Sequence, residues 1–138
     1  MLALRQKVKP KILYFLPAVT WFVVTFFLMV IPGKDIPKAG FFDLIHFDKW
    51  VHFGMFGILV VLFSLPFIKT TVNNIRVFFY ITILAIVYGI LMEFVQKFFT
   101  KDRNFDITDI MADTAGALAG WWFIKWQWNK MQQKNKPL

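Results

Sequence analysis

The sequence predicts an all-α fold, a bundle of four transmembrane helices with both termini on the cytoplasmic side. Three observations predict it. The apolar residues gather into four runs of membrane-spanning length, the composition is too apolar for a small soluble domain, and the cations are unequally divided between the two ends of those runs. Of 138 residues, 58% are hydrophobic and 17% charged, where a soluble domain carries about 25% charge. A soluble domain of this size would leave a large fraction of its 18 Phe and 6 Trp in sticky patches facing water. Lipid is the simpler solvent, and the whole chain, residues 1–138, reads as a single domain.

A hydrocarbon core takes about 20 helical residues to cross. Residues 12–31 contain no charge, and Pro17 lies in the first two turns, where a helix tolerates it best. This first helix follows basic residues, as a signal peptide would. Its apolar stretch is too long for one, however, and Pro32, Gly33 and Lys34 follow it instead of small residues fit for cleavage. The second helix, residues 51–68, opens near His52 and ends near Pro66, before a turn-like polar stretch. The third covers residues 77–95. The fourth, residues 109–128, is the most polar, with acids at its start and Lys125 near its end, where a long stem can snorkel to the headgroups.

Charge sets the orientation. Arg5, Lys7, Lys9, Lys11, Lys69, Arg76, Lys125, Lys130, Lys134 and Lys136 all fall on one side, ten cations with no acid. The other side has six cations, Lys34, Lys38, Lys49, Lys97, Lys101 and Arg103, together with all eight acids. The positive-inside rule makes the first side cytoplasmic. The basic balance is thus a topology signal, and nucleic acid is not an expected partner. Zero cysteine removes thiol nucleophiles, cysteine-ligated metals and disulfides.

The polar residues at helix ends carry the functional signal. Asp48 and His52 fall one turn apart if the second helix starts a turn early, and an Asp beside a His can fix its tautomer and raise its basicity. The plainer account is an N-cap and an interfacial anchor. Glu93 and Gln96 share a face of the third helix with Gly89, Ala85 and Thr82, so Glu93 points into the bundle, where an ionisable group is expected to be functional. Asp106, Asp109 and Asp113 are spaced by three and four, with Gly116 and Gly120 continuing the same face. Capping and the helix dipole explain Asp106 or Asp109 but not Asp113, a full turn inside the helix. Gly116-x-x-x-Gly120 reads as a close-packing face, with Ala117 assigned to another.

Three segments together resemble the VanZ-like membrane protein family over roughly residues 20–123: Asp48-Lys49-x-x-His52-Phe53, Glu93-x-x-Gln96, and Arg103 followed by Asp109-x-x-x-Asp113-x-x-Gly116-x-x-x-Gly120. The family usually has Asn where this chain has Asp113. The resemblance implies a multi-pass protein of the bacterial plasma membrane and a link to teicoplanin-type glycopeptide resistance.

The expected site unites residues from three helix ends at the outer surface. His52, Glu93 and Asp109 are its candidate catalytic groups, serving as acid, base and orienting carboxylate. Lys49, Arg103, Gln96 and Asp48 are the candidate substrate-binding residues, with Arg103 expected to pair with Glu93 or Asp109 and to clamp a phosphate or carboxylate. The expected partner is a membrane lipid or a lipid-linked envelope precursor. No cofactor or metal is expected, since no metal-specific spacing is present; a divalent ion held by His52, Glu93, Asp109 and Asp113 is a secondary variant. Two function classes stay open: a protein that binds or modifies an envelope lipid, enzymatically or not, and a non-catalytic membrane protein whose polar cluster is a structural clasp or docking surface.

Overall fold

The computed structural model describes residues 10–32, 47–68, 75–101 and 103–134. The N-terminal cations Arg5, Lys7 and Lys9, the loop positions Lys34, Lys38 and Gly40, Lys69 in the second connection, and Lys136 lie outside the described residues. Within them the chain is helical, with no strand.

A short 3-10 turn, Ile12–Phe15, leads into α1, Leu16–Met29. Pro17 supplies no N–H to the carbonyl one turn back, and the Leu16 N–H instead reaches Leu13, so the expected first turn winds tighter. Helix α2 spans Phe47–Ile68, a turn earlier than expected, with Asp48 in its first turn, where the dipole favours an acid. Helix α3 spans Arg76–Phe99 and ends with Lys97 in its last turn. Helix α4 spans Ile107–Lys134, well past residue 128. Lys125 and Lys130 lie over the rings of Trp121 and Trp126 in this extension, an amphipathic arrangement suited to an interface.

The segment Ile12–Met29, α2 and α3 are each long and apolar enough to cross a membrane. Helix α4 is the longest but carries Asp109, Asp113 and Lys125, and it joins the bundle by burying those acids against its neighbours. The outward faces suit lipid: Phe27, Leu84, Phe98 and Trp122 are 62–68% exposed.

Helix α2 is the centre of the bundle and touches each of the other three. Its contact with α4 is backbone on backbone. A Cβ placed on Gly116 would overlap the Phe53 carbonyl, and one on Gly120 would lie 2.6 Å from the Gly57 oxygen. Only glycine allows that approach. Ala117, assigned by the sequence to a different face, is fully buried in the apolar core with Phe56, Leu59, Val60 and Met92. The reason is that α2 and α3 flank α4 on adjacent sides, so the buried sector is wider than one glycine stripe. Helix α1 is tied on by the Trp21 indole N–H, which donates to the Met55 carbonyl at 3.0 Å.

Candidate functional site

The start of α2, the end of α3 and the start of α4 meet at one end of the bundle. Each contributes through its first or last turns, which is why residues distant in sequence share one depth.

His52 is the buried centre. Its Nδ1 is 2.9 Å from Asp113 Oδ1, and both side chains are at most 5% exposed. A carboxylate only accepts, so the neutral imidazole carries its proton on Nδ1 and its lone pair on Nε2. Nε2 faces Asp109 Oδ2 at 3.9 Å, too far for a hydrogen bond. Lys49, one turn before His52, donates to Asp109 Oδ1 and, at 2.7 Å, to Asp106 Oδ2, and lies 3.1 Å from Asp48.

Glu93 is 0% exposed. Its Oε2 accepts the Asp106 backbone N–H at 2.9 Å, joining the end of α3 to the residue that opens α4. Asp106 in turn caps α4, accepting from the Thr108 N–H and hydroxyl at 2.8 and 2.7 Å. Two buried carboxylate oxygens find no hydrogen bond among the described residues, Glu93 Oε1 and Asp113 Oδ2. Asp113 Oδ2 lies against Gly89, where a Cβ would approach it to 2.8 Å. The absent side chain at 89 therefore makes the room for the acid opposite.

One ligand-capable atom from each of His52, Glu93 and Asp109 falls within 4.8 Å of the others. Lys49 belongs to the same cluster. Three other expected members do not take the roles foreseen. Asp48 contacts Lys49 from a side chain 53% exposed, and the partner of His52 is Asp113 instead. Gln96 donates its amide to the Met29 carbonyl at 2.8 Å, satisfying an orphan acceptor at the end of α1. Arg103 forms no ion pair with Glu93 or Asp109, and its Nε has no partner among the described residues; Lys49, carried on a helix, occupies the place expected for it.

The sequence-based site omits Asp106 and includes Asp113 only in the divalent-ion variant. Their spacing with Asp109 held the signal, since positions 106, 109 and 113 share one face, and Asp113 was the acid that capping could not explain.

Residues 10–128 match the family model described as VanZ/LLP1. No curated protein and no solved structure matches the chain.

Proposed function

The chain belongs to the VanZ/LLP1 family, and from that premise we propose that this membrane protein binds or modifies the headgroup of a cell-envelope lipid or lipid-linked molecule. In this reading it sits in a bacterial plasma membrane with both termini inside, and the cluster faces outward. His52 is the acid–base group, Asp113 orients its ring, and Glu93 and Asp109 complete the polar floor. A link to glycopeptide resistance follows if the headgroup belongs to an envelope precursor.

The observation that carries this reading is the buried His52–Asp113 pair beside a fully buried Glu93 whose Oε1 is unmatched. A purely structural clasp would satisfy its members, because a buried carboxylate oxygen without a donor is expensive. The clasp keeps one argument of its own, the three carboxylates gathered around Lys49.

Native mass spectrometry separates the two. Protein incubated with phosphatidylglycerol and with a polyprenyl phosphate is expected to retain a lipid adduct that Glu93→Gln and His52→Asn lose at unchanged helix content. Equal adducts in all three proteins would leave the clasp as the better account.

A further inference from the structure

Among the described residues, five carboxylates, Asp48, Glu93, Asp106, Asp109 and Asp113, gather about a single ammonium, Lys49, and an imidazole. Three of those acids are at most 4% exposed. Lys49 is spent on the rim, against Asp48, Asp106 and one oxygen of Asp109. What remains beside it is the unmatched Glu93 Oε1, with His52 Nε2 facing Asp109 Oδ2 at 3.9 Å. Buried carboxylates ordinarily find a counter-charge or coordinate a metal.

We propose that His52, Glu93 and Asp109 bind a divalent transition-metal ion of the zinc or manganese class. Each residue offers one ligand atom, all within 4.8 Å of one another. Bonds of about 2.1 Å place two ligand atoms at most about 4.2 Å apart, so the set closes on an ion by roughly half an ångström. The imidazole nitrogen suits zinc, and the two carboxylates also suit manganese, whereas magnesium and calcium prefer all-oxygen shells.

Two further features fit a metal. Asp113 holds Nδ1–H and turns Nε2 toward the two carboxylates, the orientation a metal-bound histidine takes from its outer carboxylate. Glu93 has one oxygen fixed by the Asp106 N–H, which aims the other. Three protein ligands leave at least one coordination position open. An ion there would give an acidic site a positive centre for a phosphate or carboxylate headgroup. This last step deepens the lipid reading and rests on it; metal binding itself does not.

The test uses full-length protein in detergent with a tag free of histidine, stripped with chelator and then dialysed against Zn2+ or Mn2+, with Mg2+ as the comparison. We expect one ion per chain, with Zn2+ or Mn2+ favoured over Mg2+. His52→Asn and Glu93→Gln should each weaken binding at least about tenfold, as loss of a ligand requires. His46→Asn, which removes the other histidine, should leave it unchanged.

No saturable binding by the wild-type protein would overturn the proposal and leave protons to neutralise the buried acids. Binding lost in His46→Asn but kept in His52→Asn would overturn it too. Should a ligand variant fail to fold, the wild-type stoichiometry and the His46→Asn comparison still decide. Metal binding without lipid retention would sink the lipid reading alone, and lipid retention without metal binding would sink this one.

Discussion

Asp106 stands at the rim of the cluster, just before α4 begins. Lys49, followed by the Thr108 hydroxyl and N–H, holds its carboxyl below the ordinary 3.8, at about 2. A pKa lowered by folding means that the fold favours the ionised form. The stabilisation is therefore complete above about pH 4 and is lost as pH falls through about 2. Carboxyl-carbon NMR in micelles should show Asp106 titrating near 2 and, in Lys49→Met, returning toward 3.8. An Asp106 midpoint near 3.8 in the wild-type protein would mean that Lys49 does not hold it. At this scale the sequence was legible in part. Lys49, His52, Glu93 and Asp109 could be selected because each stands near a helix end on a calculable face. The sequence points His52 to Asp48, one turn away along the chain, whereas its partner Asp113 is 61 residues distant and arrives only when α4 docks on α2. Arg103 departs from its expected pairing for a related reason: a loop residue has no helical face from which its direction can be read.

The α2–α4 contact converts glycine positions into a graded probe. A methyl at Gly116 meets the Phe53 carbonyl directly, one at Gly120 meets the Gly57 carbonyl at 2.6 Å, and one at Gly54 meets nothing within 4 Å. Overpacking typically costs about 1–3 kcal/mol where the neighbour is rigid, and a backbone carbonyl is rigid. Thermal unfolding in detergent should rank Gly116→Ala as most damaging, then Gly120→Ala, with Gly54→Ala near wild type. Equal effects at all three would show that the two helices do not approach through these residues. Ala119→Leu, on an exposed face, should be mild, while Ala117→Leu should be severe because Ala117 has no exposed surface. Helix number and order were readable from apolar runs alone. Helix ends were less so, since the extra turns of α2 and α4 depend on caps and on tertiary partners such as Glu93, which no run of hydrophobicity records.

For the molecule as a whole, the ten-to-zero division of cations predicts that reporters fused after Pro137 or inserted within residues 69–76 read as cytoplasmic, and that a tag near Gly40 is reached from outside. An external C-terminus would reverse the orientation and face the cluster inward. Bundle geometry carries a second consequence, for biosynthesis. An Asp at the middle of an isolated membrane helix costs about 2.5–3.5 kcal/mol on translocon scales, less nearer the interface. Asp109 and Asp113 find Lys49 and His52 on α2, a segment that leaves the ribosome long before α4 does. The last helix therefore enters not as an independent hydrophobic segment but as a late guest, admitted once the earlier helices have assembled a polar berth in the bilayer.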